Sequence, residues 1–483
     1  MVKTEAKRQT RYQKVVDRLV SQIDASIFLP DTRLPSVRDL MKSEKISLTT
    51  ATRVFQELEA TGRAYSRNRS GYFVQSQSKS NESKTNARSQ QRKSFKAVTV
   101  AVNHLVVDML ERSSQENIVA LGSAVLNGDL VPQSLLNRVL MSIAKNKEIN
   151  HGSYVPPPGL LELRCNIARI MVERGVVCSP DDILITAGDS IATEFALRAV
   201  TRPGDSIAIE TPTYFGILQA IETSGLKAIE ISTSPETGID LDELKRAVHA
   251  RKISCVLLNP TIQNPLGYTM PLQHRHALVE LLAQENIPLI EDDVFHDLYD
   301  GVENLKAIKS FDHRGMVLYC SSFSKVLTPG YRIGWCIPGK YRNEMLCDIL
   351  ARNISISSLP QVLLSEFIRK GYYGPHTKKL RELFSSYPKK IATLIERHFP
   401  AKTKVSQPTG GFVFWIELPA PINIDSLYET ALANSISITP GTIFSTSDTT
   451  NRNFRICVGR RWTSQVEQAI IQLGALCKQF LAE

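Results

Sequence analysis

The amino-acid sequence predicts an α/β protein in two unequal parts, a short basic head of helices closed by a hairpin and a large body in which helices cover a mostly parallel sheet. Three observations carry this expectation. Residues 1–96 hold 20 lysines and arginines against 9 acidic residues, a net +11, so the remainder of a chain whose total is +10 is close to neutral at about −1. Within the head, apolar residues recur at helical spacing; from about residue 115, short apolar runs of strand length alternate with helical patterns instead. Finally, 483 residues with 42% hydrophobic content supply more than one compact unit with a sizeable core. No run of about twenty apolar residues occurs and the N-terminus is polar, so neither a membrane span nor a secretory leader is expected, and the expected location is the cytoplasm. The eight cysteines are scattered without a C-x-x-C pair, which argues against a zinc site and against a disulfide framework.

The head is expected to occupy residues 1–75. Val15, Val16, Leu19, Val20, Ile23 and Ile27 lie on one helical face until Pro30-Asp31 breaks the pattern. Ser36 is placed to cap a short second helix carrying Val37, Leu40 and Met41, with Asp39 completing the cap three residues on. A turn at Lys45-Ile46 leads to Ser47, the cap of a third helix. There Thr49, Thr50, Thr52 and Arg53 point outward while Ala51, Val54, Phe55 and Leu58 point inward, up to Thr61-Gly62. Two strand-like pieces, 64–66 and 72–74, then flank the basic loop Arg67-Asn68-Arg69-Ser70-Gly71. Two short helices joined by a tight turn, the second bearing small polar donors at its start, make a helix-turn-helix, and the basic hairpin beside it is a wing. A basic module of this kind on a neutral body points to double-stranded DNA as a partner.

Residues 11–75 resemble the GntR family of winged-helix regulators through Leu34-Pro35-Ser36-x-Arg38-x-Leu40 and the Ser-x-Thr-Thr turn that follows. The resemblance implies that Arg38, Ser47, Thr49, Thr50 and Gly71 lie against DNA; Ser36, Thr52, Arg67 and Arg69 complete the candidate DNA-binding set. Leu48 and Thr52 stand where some members carry arginine, so base preference does not carry over. Residues 76–96, with six basic residues, Glu82 and almost nothing apolar, read as a flexible basic linker.

The body is expected to span 97–483, with a large domain over about 150–345 and a smaller α+β subdomain formed by the N-terminal arm and about 346–483. Its informative residues follow the apolar runs, where ligands of parallel sheets bind: Gly188-Asp189-Ser190, Tyr214, Asn264, Asp292, and Ser322-x-Ser324-Lys325 with Arg332. Each residue type has a task if the ligand is pyridoxal 5'-phosphate. Lys325 offers the amine for a Schiff base with the aldehyde. Ser322, Ser324, Arg332 and the Gly188 turn, with Asp189 and Ser190 beside it, suit a phosphate. Asp292 suits the pyridine nitrogen, Tyr214 a ring face, and Asn264 the ring oxygen. A lysine after serines means nothing alone; the ordered set carries the reading.

Residues 118–480 resemble the fold-type I aminotransferases, through Asn264-Pro265-x-Gly267, Glu291-Asp292-Asp293, Ser322-x-Ser324-Lys325 and Phe454-Arg455. The resemblance implies that Lys325 is the catalytic, cofactor-bearing lysine, that Arg455 pairs with a substrate carboxylate, and that Tyr154 reaches the phosphate of a neighbouring subunit in a homodimer. A GntR head, a linker and an aminotransferase-like body in this order resemble the MocR subfamily of bacterial regulators. Two positions depart from the pattern. Asp189 replaces a small or hydroxylic residue, and a carboxylate about 4 Å from a phosphate is repelled by on the order of several kcal/mol unless turned away or compensated. Phe295 replaces a tyrosine whose hydrogen bond to the ring oxygen contributes roughly 1 kcal/mol net. Three readings stay open at this point: a regulator that binds pyridoxal phosphate and an amine or amino-acid effector, an aminotransferase tethered to DNA, and a regulator with a vestigial pocket. The same lysine serves sensing and turnover, so the sequence does not separate them.

Overall fold

The structure is a computed structural model that describes residues 12, 15–16, 18–20, 32, 34–44, 46–60, 63–67, 71–74, 97–113, 118–146, 151–250, 252–301, 305–420, 422–447 and 450–482. The chain divides into two compact units, Met1–Arg92 and Lys93–Glu483. The expected linker, 76–96, lies outside the described residues, as do Thr61-Gly62 and the second half of the expected first helix.

In the head, the described positions 12, 15, 16 and 18–20 are helical, followed by the helices Val37–Glu44 and Leu48–Ala60. The expected cap at Ser36 forms in full: Ser36 N donates to Asp39 Oδ2 at 3.2 Å while Asp39 N donates to Ser36 Oγ at 3.2 Å. Ser47 caps the next helix by accepting from Thr50 N at 3.2 Å. Strands Ala64–Arg67 and Gly71–Val74 pair antiparallel, as a wing should. Val15, Val16, Leu19, Leu34, Leu40, Ala51, Val54, Phe55 and Leu58 form the head's own core, and the Tyr72 ring stacks on Phe55. Burying this stripe drives the fold of a unit too small to rely on backbone propensity.

In the body, a nine-stranded sheet runs in the order Val98–Thr99, Lys227–Ser234, Ser206–Thr211, Cys255–Leu258, Leu289–Asp292, Val317–Ser322, Gly334–Ile337 and Leu184–Thr186, with Gly238–Ile239 paired off this path to Lys227–Ser234. The middle strands are parallel, and Gly334–Ile337 is antiparallel to both neighbours. Cys255–Leu258, Leu289–Asp292 and Val317–Ser322 are buried along their whole length, which is why they read as unbroken runs rather than as alternations. Parallel direction gathers their carboxyl ends on one side, and the chemistry-bearing residues follow those ends. A four-stranded antiparallel sheet, Lys404–Val405, Val413–Glu417, Asn453–Cys457 and Thr439–Pro440, forms the smaller part.

The N-terminal arm departs from the sequence expectation, which placed it in the smaller part alone. Val98–Thr99 edges the large sheet against Lys227–Ala228, whereas Val119–Ala120 pairs with Ile436–Ser437. A two-residue strand has too little pattern to declare its partner, so only the tertiary structure reveals that the arm joins the large sheet at one end and a separate two-stranded ladder at the other. Among the described residues, no helix is long and apolar enough to cross a membrane.

Candidate functional site

At the carboxyl side of the large sheet, one cavity brings together residues from five separate crossovers. Asp189 and Ser190 open the helix Asp189–Val200; Tyr214 follows strand Ser206–Thr211; Asn264 follows Cys255–Leu258; Asp292 ends Leu289–Asp292; and Ser322, Ser324, Lys325 and Arg332 follow or end Val317–Ser322. Asn259, Val294 and Phe295 complete the wall.

One end of the cavity is built for an anion. Gly188 caps the helix with φ 89°, and a Cβ there would fall 2.5 Å from Arg332 Nη2. A Cβ at Gly334 would fall 2.5 Å from the Gly188 carbonyl carbon and 2.8 Å from Asp189 N. Only glycine at both positions lets strand, loop and guanidinium close this far. Arg332, itself left-handed at φ 52°, donates to Ser324 Oγ at 3.5 Å and to the Ala187 carbonyl at 3.4 Å. Ser322 Oγ accepts from Ser324 N at 3.3 Å. Arginine, two hydroxyls and a helix N-terminus form one cradle.

Deeper in, Lys325 Nζ donates to the Ala124 carbonyl at 2.8 Å. Burial, then Arg455, pushes this lysine below its ordinary pKa, towards the neutral amine that attacks carbonyl carbon. Burial raises the Asp292 carboxyl to about 7, while Asp293 beside it, despite burial, is held below the carboxylate range by His296 and Arg174. The His296 ring lies 2.7 Å from Asp293 Oδ2, and Arg174 Nη2 donates to Asp297 at 2.7 Å.

Asn264 accepts at Oδ1 from Arg455 Nη1, 2.9 Å away, and its backbone N donates to Asn259 Oδ1 at 2.9 Å, leaving the Nδ2 hydrogens as donors. Arg455 is not among the residues lining the cavity. It is 1% exposed, donates from Nη2 to the Gly122 carbonyl at 2.6 Å and to Thr439 Oγ1 at 3.1 Å, and lies against the adjoining Phe215 and Phe444 rings at 5.7 and 5.0 Å from their centroids. Tyr154 is 83% exposed and stands beside Ser355–Ser358, outside the cavity of its own chain. Phe295 is buried, packs edge-on against Phe412, and presents its ring to Lys325 Nζ at 5.9 Å from the centroid. Asn259, missed in the sequence, donates to the Asp292 carbonyl at 2.7 Å; its signal was its position directly after the strand Cys255–Leu258.

In the head, Arg38 and Thr49 are exposed, and Arg53 lies over the Tyr12 ring at 5.0 Å from its centroid. The hydroxyls of Ser36, Ser47 and Thr50 serve the helix caps, and Thr52 Oγ1 donates back to the Leu48 carbonyl at 3.0 Å. Gly71 opens the second wing strand at φ 103°. Arg67 ends the first wing strand; its side chain, like all of Arg69, lies outside the described residues.

Fold and site together define a winged-helix head on a fold-type I aminotransferase body. Residues 11–74 match the family model of bacterial regulatory proteins of the gntR family, and residues 116–473 match that of aminotransferase class I and II. The chain belongs to the MocR-like regulators, which pair a GntR helix-turn-helix domain with an aminotransferase class I and II domain. It is 36% identical to the uncharacterized HTH-type transcriptional regulator YdcR of Escherichia coli (strain K12), over 98% of this chain and 100% of that protein. It is 32% identical to the uncharacterized HTH-type transcriptional regulator YjiR of the same strain, over 96% of this chain and 98% of that one. Among solved structures, a kynurenine aminotransferase of Pyrococcus horikoshii, in complex with PMP, superposes with a TM-score of 0.72 at 26% identity, covering 78% of this chain and 94% of that one.

Proposed function

We propose that this chain is a DNA-binding transcriptional regulator whose body holds pyridoxal 5'-phosphate on Lys325 and senses an amine or amino acid. The observation that carries the reading is the single cavity in which Lys325, Asp292 and Arg332 converge, in a chain that also owns a winged-helix head. Arg332, Ser322, Ser324 and the amides at the start of the helix Asp189–Val200 hold the phosphate. Asp292 faces the ring nitrogen, Tyr214 offers its face, and Asn264 donates to the ring oxygen. The cofactor, when bound, supplies an aldehyde carbon for amines and a protonated ring that draws electrons. The PMP carried by the P. horikoshii enzyme supports the choice among phosphorylated ligands.

Arg455 receives the carboxylate of an amino-acid effector. Its Nη1 and Nη2 are engaged with Asn264, Gly122 and Thr439, so an incoming carboxylate competes with those partners while Nε stands ready to donate. In a homodimer, the exposed Tyr154 reaches the phosphate end of the partner's cavity. Arg38, Ser36, Ser47, Thr49, Thr50, Thr52, Arg67, Arg69 and Gly71 face operator DNA, the hydroxyls of Ser36, Ser47 and Thr50 by holding the helix starts in place.

The test is operator binding by the full-length, cofactor-loaded protein, with and without a panel of amines and amino acids. A shift of about 5- to 150-fold is expected for at least one compound, with operator DNA changing that compound's affinity by the same factor. If no compound shifts DNA affinity while steady transamination is seen, the chain is a tethered aminotransferase instead.

A further inference from the structure

Asp189 is the first residue of its helix, at the rim where Gly188, Ser322, Ser324 and Arg332 gather, and its side chain lines the cavity. An ionised carboxyl here competes with the anion that the arginine, hydroxyls and helix amides of the cradle would recruit. Its Oδ1 is nevertheless buried and without a hydrogen-bond partner among the described residues. Neither cation nearby is given to it: Lys325 Nζ goes to the Ala124 carbonyl, and Arg332 to Ser324 Oγ and the Ala187 carbonyl. An ionised oxygen left in this state would cost several kcal/mol, whereas a neutral acid costs far less.

Burial raises the Asp189 pKa well above the carboxyl range; Asp292 and Asp293 add to the rise, while Lys325 and Arg332 oppose it. Tyr214 and Cys320 are the other titratable groups that feel its charge. Resting on the reading that the cavity takes pyridoxal phosphate, we propose that Asp189 is a proton-dependent phosphate contact: as an acid its O–H donates to a phosphate oxygen, and as a carboxylate it repels that oxygen. No covalent bond to the cofactor changes; one proton passes between Asp189 and solvent. The chain then retains its phosphorylated cofactor more tightly as pH falls, a property that a serine at this position would not confer.

The experiment titrates pyridoxal phosphate, and separately unphosphorylated pyridoxal, into the full-length wild type, Asp189→Ser and Asp189→Asn from roughly pH 6 to 9, following bound aldehyde by absorbance. Ionisation of the phosphate is common to all three proteins, and the charge of Asp189 on Lys325 is felt with either aldehyde, so only the difference in slope that pyridoxal does not share belongs to the phosphate contact. Across that range the wild type is expected to lose about 10-fold or more affinity for pyridoxal phosphate beyond the loss seen in Asp189→Ser. Asp189→Asn, a permanent donor, is expected to follow the shallower slope and to exceed the wild type at the alkaline end, and the three pyridoxal profiles are expected to differ far less than the three pyridoxal phosphate profiles. Parallel pyridoxal phosphate profiles for wild type and Asp189→Ser would overturn the proposal and leave the cofactor reading standing. Failure of every protein to bind either aldehyde at any pH would overturn the cofactor reading itself.

Discussion

Arg455 Nη1 donates to Asn264 Oδ1 at 2.9 Å, joining a strand of the smaller sheet to a residue of the cavity wall. The bond gives a ligand carboxylate a route to influence the cavity, because a new partner on Arg455 alters what Asn264 accepts. The Arg455 Nε is buried and without a partner among the described residues, so the guanidinium still has a donor to offer.

Arg455→Ala is expected to abolish the effect of carboxylate-bearing effectors on operator affinity while sparing the effect of simple amines. Equal shifts in both proteins would show that Arg455 is not the anchor. The same substitution leaves the buried Asn264 amide oxygen and the Gly122 carbonyl without this donor, so a loss of about 1 to 3 kcal/mol in stability is expected, read by denaturant unfolding of the body.

Gly188→Ala places a Cβ 2.5 Å from Arg332 Nη2 on a backbone at φ 89°. The arginine must move, and the cradle loses its strongest donor. Affinity for pyridoxal phosphate is expected to fall by about 10- to 100-fold, an amount typical of a lost charge-assisted pair, with little change for pyridoxal lacking the phosphate. An equal fall for both would place the damage elsewhere than at the phosphate.

Asp292, which burial raises to about 7, contributes one part of the pH dependence of the cofactor-free protein, beside Glu210 and Glu291, which burial raises to about 7 and about 8. Below the unfolded value of about 4 both states are protonated and this group's contribution to stability is full. As pH rises towards about 7 the unfolded chain ionises first, so stability is lost across that window. Asp292→Asn removes the proton and should flatten this part of the curve. Thermal unfolding at acid and alkaline ends of the window checks it; an unchanged pH slope in the variant contradicts the assignment.

In the head, Arg38 is exposed just past the capped start of its helix. Arg38→Ala should weaken operator binding and reduce the salt slope by about 1 if the contact is to phosphate, without altering cofactor content. A chain shortened to residues 97–483 should keep cofactor binding and lose DNA binding; retained operator affinity there would move the DNA site to the body.

Much of this was legible because the relevant signals are local. The caps at Ser36 and Ser47 and the buried runs ending at Leu258, Asp292 and Ser322 are each written within a few residues, and each forms where the spacing places it. Long-range relations were not legible. Nothing near Lys325 announces that its amine meets the Ala124 carbonyl 201 positions away, nor does the arm show that Val98 and Val119 join different sheets. The Asp189 departure was visible as a residue type, but its meaning depends on burial and on which cations are already engaged, which only the packed structure fixes.

On the proposed reading, Lys325 holds pyridoxal phosphate inside a DNA-binding regulator. The most direct measurement is the absorption spectrum of the full-length protein after addition of the cofactor, before and after borohydride, followed by mass mapping of the modified peptide. A visible band that borohydride removes, leaving the phosphopyridoxyl group on the peptide that carries Lys325, is the expected result. A protein that stays colourless with added cofactor, or whose label spreads over other lysines, would contradict it.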